Sequence, residues 1–240
     1  MSEAILSLAV RLDNVDRVLL KSDLNVFGNA KINCLLNTDE CDTLKNLYGQ
    51  DDKFRSHIQM ARHGFGKGEY KYFKYPLPDI VEELRVGLYP LLVSIANSWH
   101  ERMGIEIRFP AAHDDYIYEC HSAGQLRPTP LLLQYGKDDF NCLHQDVYGD
   151  LLFPLQVAIL LSSPVDDFKG GEFVHTEQRP RMQSKAEVIS LNKGDAVIFA
   201  VRNRPVQGVK RDYRVTMRHG VSRIREGQRH TLGIIFHDAN

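Results

Sequence analysis

The residues best placed to do chemistry stand at Leu143-His144-Gln145-Asp146, at the end of a run that begins at Leu131. Successive side chains of a β-strand point to opposite faces, so residues two apart share a face. On an extended chain His144 and Asp146 therefore enter one space, where a neutral imidazole and a carboxylate can both reach a single metal ion. Cys142 has the same parity as His144, which aims it at the site unless it only fills the core. The apolar run Phe153 to Leu161 supplies a strand to back the site. A His-x-Asp is a common accident in a chain with ten histidines. A second one, His113-Asp114-Asp115, follows Pro110 in a turn-like context without a strand pattern, so His113 and Asp115 are read as surface residues.

Two imidazoles and one carboxylate on one face of an iron ion leave the other positions open for substrate and O2. A third ligand must then come from another strand. His219 closes Arg214-Val-Thr-Met-Arg-His219, after the strand-like Asp195 to Phe199, and is the preferred candidate. His175 competes, although its place after Gly170-Gly171-Glu172 suits a solvent-facing strand residue. His230 and His237 lie on the last strand, where packing or surface roles suit an imidazole. Ten residues past His219 comes Arg229, with Thr231 and Gly233 on the same strand face. A lone buried guanidinium is costly and is best satisfied by a bidentate carboxylate. No acidic residue nearby in sequence offers itself, so a dicarboxylate cosubstrate fits. An exposed arginine in a basic loop is the plainer alternative.

The elements that must position these groups fall into two regions. In the first, Asn25 to Asn29 reads as a turn, and Asn37 or Thr38 can cap a helix that runs to Tyr48-Gly49. Phe54 to Phe73, broken by Gly64, Gly66 and Gly68, reads as a hairpin or two short strands. From Asp79 the helical period Ile80, Leu84, Leu88, Leu91, Leu92, Ile95, Trp99 marks a long helix that Pro90 can kink or split. Residues Gly104 to Pro130 form the boundary zone. Beyond it come short apolar runs between turn signals: Leu131–Tyr135, Leu143–Val147, Leu155–Leu161, Glu172–His175, Glu187–Leu191, Ala196–Val201, Val215–His219 and Thr231–Phe236. Asn203-Arg-Pro205 is among the turns. Evenly spaced short strands indicate a sandwich, barrel or jelly roll.

Composition excludes little. The chain has 240 residues, 43% hydrophobic and 25% charged, with a formal net charge of -1, so no global charge draws it to nucleic acid or an anionic membrane. Basic residues nevertheless dominate from Arg202 to Arg229. That stretch could track phosphates, or be a solvated face that attracts an anionic cosubstrate. Four cysteines without C-x-x-C spacing, no secretory signal and no stretch near the roughly 18 apolar residues of a membrane span point to a cytoplasmic protein with reduced thiols.

The order Gln134-Tyr135-Gly136, Phe140, His144-x-Asp146, Gly170-Gly171-Glu172, Gly194-Asp195-Ala-Val-Ile-Phe199, His219 and Arg229 resembles the 2-oxoglutarate/Fe(II)-dependent oxygenases, in particular their prolyl-hydroxylase-like branch. The closing Arg229-His-Thr-Leu-Gly-Ile-Ile-Phe-His-Asp238 and the upstream Gly66-Lys-Gly68-Glu-Tyr70-Lys-Tyr72-Phe73 resemble more narrowly a bacterial group labelled as oxygenases of damaged nucleic acid. The resemblance implies a mainly β, α+β fold: a double-stranded β-helix (jelly roll) over residues 126–240, with a helical and mixed region, 1–125, packed on it. It implies Fe(II) held by His144, Asp146 and His219. It also implies 2-oxoglutarate bound through Arg229 and Tyr135 with help from Thr231, O2 as oxidant, and ascorbate as an optional reductant. The expected reaction is hydroxylation of an unactivated C–H.

Two departures from the pattern matter. The strand after the His-x-Asp lacks the branch's second tyrosine and offers only Gln156 as a polar residue. The interval from His219 to Arg229 differs from that of the DNA-dealkylating branch. A peptidyl, prolyl-type substrate is therefore expected ahead of damaged nucleic acid. A cupin-like metal or small-molecule binder is the rival of another class, and it would not need Arg229. Tyr70, Tyr72 and Tyr75 either wall the substrate site or, as expected here, pack along an edge strand.

Overall fold

The structure is a computed structural model that describes residues 6–147 and 149–240; residues 1–5 of the N-terminal region lie outside it. The described residues form five α-helices: α1 (Leu8–Asp13), α2 (Arg17–Phe27), α3 (Thr38–Asn46), α4 (Asp79–Arg102) and α5 (His113–Ser122). Their ends follow from local chemistry. Asp16 accepts from the Val18 and Leu19 amides at the start of α2. At its end Gly28 takes a left-handed φ of 77°, where a Cβ would also strike the Arg204 side chain at 2.8 Å. The expected turn at Asn25–Asn29 is thus the last turn of a helix and its cap. Asn37 and Glu40 form a reciprocal capping box on α3. Pro90 does not split α4, because it sits on the exposed side and the carbonyl it leaves unpaired belongs to Val86, also exposed. No described helix is long and apolar enough to cross a membrane.

The strands are β1 (Asn29–Ile32), β2 (Phe54–Gln59), β3 (Gly66–Lys67), β4 (Glu69–Phe73), β5 (Leu131–Tyr135), β6 (Phe140–His144), β7 (Leu155–Leu160), β8 (Phe168–Gly170), β9 (Phe173–Gln178), β10 (Lys185–Ile189), β11 (Ala196–Ala200), β12 (Asn203–Val206), β13 (Tyr213–Val221), β14 (Ile224–Gly227) and β15 (Arg229–Ile234). The major sheet runs β1-β11-β7-β15-β5-β4-β2. The minor sheet runs β10-β9-β13-β6-β3 with β12 on β13, and β14 pairs with β8. Two antiparallel sheets packed face to face make the double-stranded β-helix. Strands come from the first region too: β1 pairs with β11, and β4 with β5. Asn203–Pro205, expected as a turn, forms β12 against β13. Pro205 is tolerated because β12 lies at an edge.

Two cores fill this frame. Leu132, Ile159, Ile198 and Leu232 face outward and pack with Leu84, Leu88, Leu92 and Trp99 of α4. The alternate residues, Ala158, Leu160, Val197 and Phe199, face inward and pack with Phe173 and Ile189 of the minor sheet. With both faces covered, β7 and β11 are buried along their whole length, which explains continuous apolar runs in place of alternation.

Across the inner face of the major sheet the register sets residues in rows. The first holds Tyr135 and Arg229. The next holds Tyr70, Leu133, Thr231 and Leu160. The third holds Tyr72, Leu131, Gly233 and Ala158. A fourth contains Gln156 opposite Phe199.

Candidate active site

His144 is the last residue of β6, and Asp146 lies two residues beyond its end in irregular chain. His219 pairs directly with His144 across β13. Asp146 faces both imidazoles: its Oδ1 is 3.3 Å from His144 Nε2 and its Oδ2 is 3.4 Å from His219 Nε2. One ligand atom from each residue lies within 4.8 Å of the other two, a grouping that could hold a metal ion. His144 Nδ1 donates to the Cys142 carbonyl at 2.8 Å, which leaves Nε2 as the free donor of the ring. The Phe199 ring lies 4.5 Å from the His219 ring and Phe173 stacks at 6.0 Å, and these two rings, themselves 5.0 Å apart, brace the imidazole from one side.

The electrostatics favour a bound cation. Burial opposes ionisation of Asp146, yet hydrogen bonds and charge from His144 and His219 hold its carboxyl far below the usual range. Burial likewise disfavours charge on both imidazoles. Asp146 outweighs it at His144, whose pKa rises, whereas at His219 burial and the neighbouring His144 prevail and the pKa falls. An ionised carboxylate facing two imidazoles, of which His219 resists a second proton, is a donor set suited to a divalent metal.

A cavity of about 240 Å³ joins this group to Arg229. Arg229 is 2% exposed. Its Nη1 donates to Thr231 Oγ1 at 2.5 Å, and its guanidinium lies 5.7 Å from the Tyr135 ring and 5.9 Å from the Phe168 ring. Nε has no partner, and among the described residues no carboxylate lies within ion-pair distance. Burial pushes its pKa down to about 10, against the opposing influence of Tyr135 and Glu172. Tyr135 is fully buried, and its hydroxyl accepts from Asn141 Nδ2 at 3.4 Å.

Several expectations change. His175 does not face solvent: it is buried opposite His219, with Nε2 3.2 Å from the Ala200 carbonyl and Nδ1 3.4 Å from Asn29 Nδ2. Those bonds occupy both ring nitrogens. His113 is no surface residue either, since it opens α5 and its Nε2 lies 2.8 Å from the Phe236 carbonyl in the core; Asp115 is exposed. Cys142 is exposed, and Asn141 lines the cavity instead. The irregularity between His219 and Val221, which face His144 and Asn141, breaks the simple parity of β6. Tyr70 and Tyr72 line the cavity, where edge packing was expected. Tyr75 does not, because its hydroxyl bonds Asp238 and Arg85. His230 and His237 pack as expected, the former against Tyr48 and the latter under the Phe153 amide.

The basic stretch divides in two. Arg204 is buried, ion-paired to Glu177 and bonded to the Asn25 and Val26 carbonyls. Arg202, Lys210, Arg211 and Arg218 are exposed.

With this geometry in view, comparison with known proteins assigns the chain. The sequence model of a family described as "Oxygenase, catalysing oxidative methylation of damaged DNA" matches residues 68–239, and the chain belongs to that family. Two uncharacterized proteins from two strains of Mycobacterium tuberculosis are each 47% identical over 167 residues, 70% of this chain and 72% of theirs. Among solved structures, an oxidoreductase of the 2OG-Fe(II) oxygenase family from Burkholderia pseudomallei aligns with a TM-score of 0.57 at 13% identity, over 94% of this chain and 93% of that one. A Trichoplax adhaerens prolyl hydroxylase, in complex with a hypoxia inducible factor peptide fragment, aligns at 0.52 and 16% identity, over 97% and 92%. A Pseudomonas putida prolyl-4-hydroxylase aligns at 0.51 and 13%, over 98% and 100%. These likenesses show the fold.

Proposed function

We propose that this oxygenase depends on Fe(II) and 2-oxoglutarate and hydroxylates an unactivated C–H bond. The observation that carries the reading is the buried guanidinium of Arg229, which has no carboxylate partner among the described residues and shares a cavity with His144, Asp146 and His219. A dicarboxylate supplies the missing partner, which is also why a cupin-like binder fits less well. Bound iron, with 2-oxoglutarate and O2, would provide the oxidising power to break the C–H bond and insert oxygen. The chain does the rest. His144, Asp146 and His219 would hold the metal from one side and leave the cavity side open. Arg229, with Thr231 and the Tyr135 ring, would fix the distal carboxylate, and Leu131 and Leu133 would exclude water around the diacid's carbon chain. Ascorbate would act only as a reductant that restores ferrous iron.

Anaerobic titration with Fe(II) and 2-oxoglutarate tests this through the visible charge-transfer band of the chelate. The band should form in wild type, vanish in Asp146→Ala, and need about 100-fold more cosubstrate in Arg229→Ala. A wild type that binds iron but never gives the band sinks the assignment.

The relatives suggest two substrate classes: damaged DNA, from the family description, and prolyl peptide, from the fold neighbours. Sequence similarity over residues 68–239 weighs more than shared architecture, so nucleic acid moves ahead of the peptide expected above. Exposed Arg202, Lys210, Arg211 and Arg218 would then meet phosphates. Affinity for a single-stranded oligonucleotide should fall steeply with salt, and an affinity that ignores salt favours the peptide.

A further inference from the structure

Gln156 lies in the wrong place to serve the cosubstrate. The Arg229 guanidinium reaches to the Thr231 row, where the residue on β7 is Leu160. Gln156 stands four residues further along the strand, a separation of roughly 13 Å, too far to share one carboxylate with Arg229. It pairs instead with Phe199, whose ring touches His219. It therefore belongs to the end of the cavity near the metal ligands. There it is 3% exposed, and its Nε2 is buried without a partner. Burying an amide N–H with nothing to receive it is unfavourable. The surrounding wall is uncharged: Tyr70, Tyr72, Leu131 and Ile235 line it, and the only acidic or basic side chains among the described lining residues are Arg229 and the candidate metal ligands His144, Asp146 and His219.

Resting on the functional reading above, we propose that Gln156 is a substrate-specificity residue. Its carboxamide donates to a hydrogen-bond acceptor on a neutral, flat group that lies against Tyr70 and Tyr72, while Arg229 and Thr231 serve the cosubstrate alone. A donor N–H selects for a carbonyl or an unprotonated ring nitrogen and against a cation. The apolar walls select against an anion.

Benzamide serves as the probe, set against isopropenylbenzene, which has the same shape but no acceptor, and phenyltrimethylammonium, which is cationic. Binding is read by ligand-observed NMR on the full chain loaded with Zn(II) and 2-oxoglutarate. Wild type should prefer benzamide to isopropenylbenzene by about tenfold, and Gln156→Leu should abolish that preference while its affinity for 2-oxoglutarate stays within about twofold. Retained cosubstrate binding also reports that the variant is folded. The proposal is overturned if wild type shows no preference, if the cation binds more tightly, if Gln156→Leu keeps the preference, or if that variant loses 2-oxoglutarate. Failure of the iron and cosubstrate titration in wild type would instead overturn the parent reading, so the two failures are distinguishable.

Discussion

Arg229 places binding and stability in opposition at a single residue. Its guanidinium is buried with one side-chain hydrogen bond and an unpartnered Nε, so the free protein carries a destabilising charge. Replacing it with methionine, which fits the same space, should raise the stability of the ligand-free protein by about 1–3 kcal/mol. The same change should remove the increase in Tm that 2-oxoglutarate gives wild type. Thermal melts with and without cosubstrate check both halves, and a less stable ligand-free Arg229→Met would contradict the account. Asp146 behaves differently. Asp146→Ala leaves two imidazoles that no longer face an anion, and metal affinity measured by calorimetry should drop by at least about 100-fold. Much of this scale was legible in the sequence. The family resemblance carried by the order of motifs singled out His144, Asp146, His219 and Arg229, and all four line one cavity. Asn141 and the environment of Cys142 were not legible, because an irregular register resets which residues face inward.

Among the elements, the turn before β11 ties the helical layer to the sheets. Gly194 has a φ of 86°, and a Cβ there would lie 2.1 Å from the Leu36 carbonyl. Leu36 returns a backbone hydrogen bond to Gly194, one residue before Asn37 caps α3. Gly194→Ala should cost at least about 2 kcal/mol in urea unfolding, through backbone strain and displacement of Leu36. Asn37→Ala, which removes only the cap, should cost about 1 kcal/mol. Equal costs would mean that Gly194 has no special role. The α3 cap, the long α4 and the sandwich strands were readable because each rests on a local pattern of period or capping. By contrast, α1, β8, β12 and β14 are short and depend on partners far away in sequence. Arg204 illustrates the difficulty: a member of a basic run in sequence, it is neutralised in space by Glu177 and by the carbonyls at the end of α2.

At the scale of the molecule, the buried histidines make the fold sensitive to acid. Burial lowers the pKa of His113 and of His230 from 6.5 to about 4. Between those values the unfolded chain takes up protons that the folded one refuses, so stability falls as pH drops from 6.5 towards 4. Above 6.5 both states are neutral at these sites and the effect is absent. Each contributes at most roughly 3 kcal/mol of loss at the acid end. His230→Phe, which keeps the ring against Tyr48, should flatten the pH dependence of the urea midpoint across that window. An unchanged slope would locate the acid sensitivity elsewhere. The position of β15 has a separate effect during synthesis. It pairs with β5 on one side and β7 on the other at the centre of the major sheet, yet it follows every other strand in the chain. A ribosome therefore delivers two half-sheets, β2-β4-β5 and β7-β11-β1, before the strand that joins them, each holding an open hydrogen-bonding edge. The strand that seals those edges starts with Arg229, so the nascent chain gains its anion-binding arginine in the same event that closes its largest sheet.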